Sequence, residues 1–194
     1  DDRVLSEAPE NLFDGIVSEL AKTASEDTIW FLDANLTEAM LKRLAARIGP
    51  GRLIASAVSE AKAPRLKPVL GRLDGLMLNR GEAAALTGRD RHTPAEDLAD
   101  ALTRAGLKRF VLTAGAEDVH VRDNGTMHRF TPRQAQIVDV TGAGDALMAG
   151  IIAAMARGFE LTRAVPCGLA AAALTLASTG ALAETLSWDA LEPI

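Results

Sequence analysis

The chain has 194 residues, 48% hydrophobic and 24% charged, which suffices for a well-buried core and excludes fibrous and disordered classes. Its 26 acidic and 21 basic residues are mixed along the chain and leave a formal net charge of -5. There is therefore no basic stripe of the kind that nucleic acid or an anionic membrane requires, and neither is an expected partner. The lone cysteine, Cys167, excludes an internal disulfide and a multi-cysteine metal site, and between Pro166 and Gly168 it reads as a small buried hydrophobe.

The chain opens on Asp1-Asp2-Arg3, without an initiator Met, as though it begins partway through something larger. In chain order, residues 12–21 carry apolar side chains at three-to-four spacing and are expected to form a helix, and residues 28–32 a strand. A helix over 38–48 follows, with Thr37 as its cap and Gly49 as its stop, then a strand over 52–55 and a helix over 61–70. Next come a strand over 75–78, a helix over 80–86 closed by Gly88, a helix over 94–105 with Thr93 as its cap and Gly106 as its stop, and a strand over 109–112. The strands are short apolar runs with polar or Gly ends, as strands buried on both faces are. Such alternation argues a parallel sheet with right-handed crossovers in one α/β domain, 1–194.

After Thr113 the pattern changes. Residues 119–122 and 127–130 alternate about Asp123-Asn124-Gly125, a hairpin signal that predicts an antiparallel edge. From Gly144 the sequence is Ala-rich and helical to about Arg157, again over 161–177, and briefly from Ser187. No apolar run approaches the ~20 residues needed to cross a bilayer, and the start lacks the layout of a signal peptide, so a soluble cytoplasmic protein is expected.

The most specific stretch is Asp139-Val140-Thr141-Gly142-Ala143-Gly144-Asp145, a small-residue turn running into the first Ala-rich helix. Backbone N–H groups in a helix's first turn lack partners and sit at the positive end of the macrodipole, so Gly142, Ala143 and Gly144 would let a phosphate approach closely. Asp145 would stand beside it. An alcohol is a poor nucleophile until its proton is accepted, so a carboxylate next to a cradled phosphoryl group points to phosphate transfer onto a hydroxyl. The bland alternatives are a glycine turn made for close packing and a first-turn acid that complements the dipole.

Other polar outliers gather at the carboxyl ends of the predicted strands, where parallel sheets bind ligands: Asp33 and Asn35, Ser56 and Ser59, Asn79 and Glu82, Thr113 and Gly115. Asn79 and Glu82 have two readings, a capping box at a helix start and an oxygen pair for hydrated Mg²⁺. Thr113-Ala114-Gly115 could simply end a strand. His92, His120 and His128 show no metal-ligand spacing and read as surface or packing residues.

Taken together, Asn79-Arg80-Gly81-Glu82, Thr113-Ala114-Gly115 and residues 139–147, in that order, resemble the PfkB (ribokinase-like) family of carbohydrate and nucleoside kinases. The resemblance implies a three-layer α/β/α fold with a mostly parallel sheet and an antiparallel hairpin at one edge. It also implies an anion hole at Gly142, Ala143 and Gly144 with Asp145 as the base, and Mg²⁺ and phosphate at Asn79 and Glu82. Thr113 and Gly115 would lie at the nucleotide, ATP, with Thr141 also among the cofactor-binding residues, and K⁺ near Asp139, Thr141 and the backbone of 178–180. Residues 33–38 and 57–63 resemble the pseudouridine kinase branch, for which the acceptor is a ribose 5′-hydroxyl and Lys62 could neutralise phosphate charge; a solvated helix Lys is the bland alternative.

Two departures accompany the match. Ala116-Glu117-Asp118 stands where the family often has a second Gly. The likeness covers only the family's C-terminal two-thirds, so the N-terminal strands and lid that hold the sugar, exclude water and could mediate a homodimer have no counterpart. The expected activity is an ATP-dependent transfer of the γ-phosphate to a small sugar or nucleoside. The competing class is a non-catalytic or inactive nucleotide-binding fragment. An unrelated dinucleotide-binding domain would need Gly-x-Gly-x-x-Gly after the first strand, which is absent.

Overall fold

The apolar runs form a sheet because each is too short and too evenly hydrophobic for a helical stripe, and burial on both faces satisfies them only beside other strands. In the computed structural model, which describes residues 3–191, the elements are α1 (Arg3–Glu7), α2 (Asp14–Ala21), β1 (Ile29–Asp33), α3 (Glu38–Arg47), β2 (Arg52–Ser56) and a 3₁₀ helix (Ala63–Arg72). Then follow β3 (Gly75–Asn79), α4 (Arg80–Thr87), α5 (Ala95–Arg104), β4 (Phe110–Thr113), β5 (Val119–Asp123), β6 (Thr126–Phe130), α6 (Ala143–Ala156), α7 (Leu161–Leu176) and α8 (Trp188–Leu191). Asp1 and Asp2, on which the expectation of an internal start partly rests, lie outside the described residues.

The sheet runs β1-β2-β3-β4-β5-β6 in space, β1 to β4 parallel and β5 antiparallel to β4. The expected hairpin is present at this edge, turning at Asn124 (φ 47°) and Gly125 (φ 94°), the left-handed pair that a two-residue hairpin turn needs. Register sets the chemistry: Asp33 pairs with Ser56, and Asn79 with Thr113, so the polar outliers share the carboxyl ends of the strands.

The chain forms two compact units, one holding residues to Gly115 with His120–Met127, the other Ala116–Val119 with the chain from His128. In the first, Leu53, Leu76, Phe110 and Leu112 of the sheet are buried in one cluster with Leu41 and Leu44 of α3, Leu66 of the 3₁₀ helix and Leu98 and Leu102 of α5. Each such side chain contributes roughly 1.5–3 kcal/mol by leaving water. In the second unit, α6 and α7 meet along a seam of small residues. A Cβ on Gly150 would lie 2.8 Å from the Gly168 Cα, and one on Gly168 2.5 Å from the Leu147 carbonyl oxygen. α8 is held where the Arg157 guanidinium stacks 4.0 Å from the Trp188 ring centre and Phe159 meets the same ring edge-on.

Two expectations are corrected. The segment read as a helix over 61–70 is a 3₁₀ helix shifted to Ala63–Arg72, because Pro64 and Pro68 lack the N–H groups an α-helical ladder uses. Thr93 does not cap α5. Pro94, with φ fixed at -54°, takes the cap position and its carbonyl accepts from the Leu98 amide, while the Thr93 amide closes a turn on Asp90. Cys167 is buried, as expected. Among the described residues no helix is long and apolar enough to cross a membrane.

Candidate active site

In the first unit the candidate residues stand on the turns that leave β1, β2, β3 and β4. After β1, the Asp33 carboxylate accepts from the Asn35 amide at 2.8 Å, an Asx turn that reverses the chain locally. Lys62 donates to the Asn35 side-chain oxygen at 2.6 Å, and Arg65 donates to the Ala34 and Asn35 carbonyls at 3.1 and 3.2 Å. Lys62 is therefore a tether of this turn rather than a solvated helix residue. A cleft lined by Phe31, Asp33, Asn35 and Lys62 opens beside it.

After β2 the backbone does something no local preference favours. Val58 has φ 66°, and the Ser59 amide donates to the Ala57 carbonyl at 2.7 Å, a γ-turn centred on a β-branched residue. Such a turn costs of order 1–3 kcal/mol and persists only where surrounding structure holds it. It delivers Glu60 against the first turn of α4, so close that a Cβ on Gly81 would collide with the Glu60 carboxylate. Sequence reasoning missed the strained Val58 and the placement of Glu60 and Arg65, since a valine gives no signal for positive φ.

After β3, Asn79 and Glu82 form a capping box at the start of α4. The Glu82 amide donates to the Asn79 side-chain oxygen at 3.0 Å and the Asn79 amide to the Glu82 carboxylate at 2.8 Å. Glu82 is 7% exposed. Burial raises its pKa above the ordinary 4.5, and the Glu60 charge raises it further against the lowering by the Asn79 amide. The capping reading is thus correct as geometry, and it leaves an all-oxygen pair, fixed in place, beside Thr113 on β4. Gly115 follows in a left-handed turn at φ 68°.

In the second unit the site is the loop into α6. Asp139 clamps it, accepting from the Thr141 amide at 2.9 Å through one oxygen and from the Gly180 amide at 3.1 Å through the other. These donors hold its carboxyl below the ordinary 3.8, the Thr141 amide first, then the Thr141 hydroxyl and the Gly180 amide. Gly142 is the N-cap at φ 77° and ψ -2°, and a Cβ there would lie 2.6 Å from the Ala181 carbonyl oxygen, so glycine is obligatory. It offers no side-chain cap, which leaves the first-turn amides of α6 without one.

Gly144 differs. Its φ is not positive, and a Cβ there would meet nothing within 4 Å. Neither conformation nor packing demands glycine at this position. Asp145, next along, is exposed on the same first turn, and its carboxylate makes no hydrogen bond among the described residues. The loop thus presents first-turn amides without a side-chain cap, the Ala143 amide turning back to the Val140 carbonyl at 3.4 Å, together with open space above Gly144 and an adjacent carboxylate, a set that can hold an anion and accept a proton. Among the described residues, no group of three or more His, Cys, Asp and Glu is placed to hold a metal.

Comparison with known proteins matches residues 10–188 to the family described as pfkB family carbohydrate kinase. A pseudouridine kinase of Escherichia coli is 29% identical over 69% of this chain and 44% of its own length. Among solved structures, a carbohydrate kinase from Agrobacterium tumefaciens is 40% identical, with a TM-score of 0.72 over 91% of this chain and 55% of that one. An Arabidopsis thaliana ribokinase complexed with ribose and ATP shares the fold, with a TM-score of 0.80 at 23% identity, over 94% of this chain and 59% of that one. The chain therefore spans less than two thirds of each of these relatives.

Proposed function

The chain belongs to the pfkB family of carbohydrate kinases, and on that premise we propose that it is the nucleotide- and phosphate-binding part of an ATP-dependent kinase. The reaction proposed is transfer of the γ-phosphoryl group to a hydroxyl of a sugar or nucleoside. The observation that carries it is the opening of α6: amides without a side-chain cap, a glycine at 144 required by neither φ nor packing, and exposed Asp145 beside it.

In this mechanism the amides opened by Gly142, Ala143 and Gly144 grip the donor's terminal phosphate, with Thr141 at its flank, and Asp145 accepts the acceptor hydroxyl's proton as that oxygen attacks in line. Little covalent work falls to the protein, so fixed dipoles supply most of the acceleration. Thr113 and Gly115 are assigned to the nucleotide. Mg²⁺, when bound, would offset phosphate charge, and the oxygen-only pair of Asn79 and Glu82 suits that hard cation, held through water. The K⁺ expected at Asp139 meets a carboxylate with both oxygens engaged; Asp139 is kept as a clamp, and no step is derived through that cation.

The finer reading places the chain in the pseudouridine kinase branch, with a ribose 5′-hydroxyl as acceptor. The likeness to the Escherichia coli enzyme supports it, as do the segments 33–38 and 57–63. The alternative reading is a nucleotide-binding piece without turnover.

Asp145→Asn separates them. With pseudouridine, other ribosides and hexoses as acceptors, ADP formation is expected to fall at least ~100-fold while ATP affinity stays close to that of the parent chain. Near-normal turnover would reject the role of Asp145. ATP binding without turnover in the parent chain, on every acceptor, would establish the alternative reading instead.

A further inference from the structure

At the end of β4 opposite Thr113, the chain enters the strand through Gly106-Leu107-Lys108 and leaves β5 into the Asn124-Gly125 turn. A pocket of about 380 Å³ lies between them, lined by Thr103, Gly106, Lys108, Arg122, Asn124 and Gly125. All belong to the first compact unit. Four residues of β4, roughly 13 Å at strand rise, separate this pocket from Thr113.

The pocket's charges are unbalanced. Arg109, beside it in sequence, is neutralised by Asp123, Nε to Oδ1 at 2.7 Å. The side chains of Lys108 and Arg122 have no hydrogen-bonding or ionic partner among the described residues. Arg122 is half-buried and Lys108 exposed, and neither receives a counter-charge. The last carbonyls of α5 carry partial negative charge and explain one nearby cation, and Arg104 in the last turn already supplies it. They do not explain two more, brought from different elements to one hollow. Of the other lining groups, the Thr103 hydroxyl donates to the Ala99 carbonyl at 2.9 Å and the Gly106 amide to the Thr103 carbonyl at 3.0 Å.

We propose that this pocket is an anion site for a small phosphate monoester, distinct from the loop into α6. The planar fork of Arg122 suits two phosphate oxygens and the Lys108 ammonium a third. The volume lies in the range that admits a phosphorylated sugar.

The test follows backbone amide resonances of the chain during titration with inorganic phosphate and, separately, ribose 5-phosphate, to about 10 mM. Saturable shifts are expected at Leu107, Lys108, Arg122 and Gly125. In Lys108→Gln/Arg122→Gln the dissociation constant read at Gly125 is expected to rise at least about tenfold, while shifts at Gly142 to Asp145 persist. Arg104→Gln, a neighbouring surface charge, is expected to leave it unchanged. No saturable shift at those amides would overturn the site, as would a double variant that binds like the parent. Equal weakening by Arg104→Gln would also overturn it, since that is diffuse screening. If the double variant fails to give a folded spectrum, Lys108→Gln alone, at an exposed side chain, decides: a loss of about threefold or more supports the site, and an unchanged constant rejects it.

Discussion

Gly142 and Gly144 stand two residues apart in one motif for different physical reasons. The first is fixed by the fold, since its φ of 77° and the Ala181 carbonyl at 2.6 Å from a would-be Cβ leave no alternative. The second is free of both constraints. Gly144→Ala should therefore leave thermal stability unchanged or slightly raised, because alanine is the better helix former. Its nucleotide affinity should fall roughly tenfold or more, the scale of a lost charge-assisted hydrogen bond. Calorimetric titration with ATP beside a melting curve checks both; a stable variant with full affinity would show that no phosphate approaches Gly144. The motif was legible in the sequence because its residue types are unusual. The γ-turn at Val58 was not, because there the surroundings impose a conformation that the residue itself disfavours.

Among the elements, periodicity located every strand and nearly every helix, as burial on a repeating face demands. It misjudged the 3₁₀ segment, where two prolines outweigh an amphipathic pattern, and the α5 cap, where Pro94 displaces Thr93. The α6–α7 seam shows the reverse case, in which packing outweighs propensity. Gly168→Ala would gain about 1 kcal/mol of helix propensity. Its Cβ, however, would sit 2.5 Å from the Leu147 carbonyl oxygen and 2.6 Å from Ile151 Cγ1, against backbone that cannot yield cheaply. Overpacking of this kind costs ~1–3 kcal/mol, so the variant is expected to be less stable on balance, read as a lower denaturant midpoint. A midpoint at or above the parent's would mean that the two helices can slide apart at no cost.

At the scale of the whole molecule, three carboxyls among the described residues set the expected response to acid, with two signs. Asp14 is held below its ordinary 3.8 chiefly by the Arg43 hydrogen bond, and Asp139 by the Thr141 amide. A depressed carboxyl stabilises the fold above its unfolded value, and that contribution is lost as pH falls below 3.8 through the folded value. Glu82 acts oppositely. Raised above 4.5 by burial, it resists ionisation in the fold, so stability declines as pH climbs from 4.5 through its folded value. Denaturant midpoints against pH should thus flatten above 4.5 in Glu82→Gln and lose part of the steep acid limb in Asp139→Asn. A profile in Asp139→Asn that superimposes on the parent's would remove the clamp assigned to that residue.

By itself the sequence determined the strand and helix order, the hairpin, the small-residue start of α6 and the residue types at the strand ends. These follow from periodicity, turn chemistry and dipole, which act over a few neighbours. Only the tertiary structure decided that Asn79 lies in register with Thr113, that Lys62 tethers Asn35, that Asp139 reaches Gly180, and that Lys108 and Arg122 share a hollow. Those pairings join residues far apart in the chain, and they depend on sheet register and loop closure, which a local pattern cannot specify.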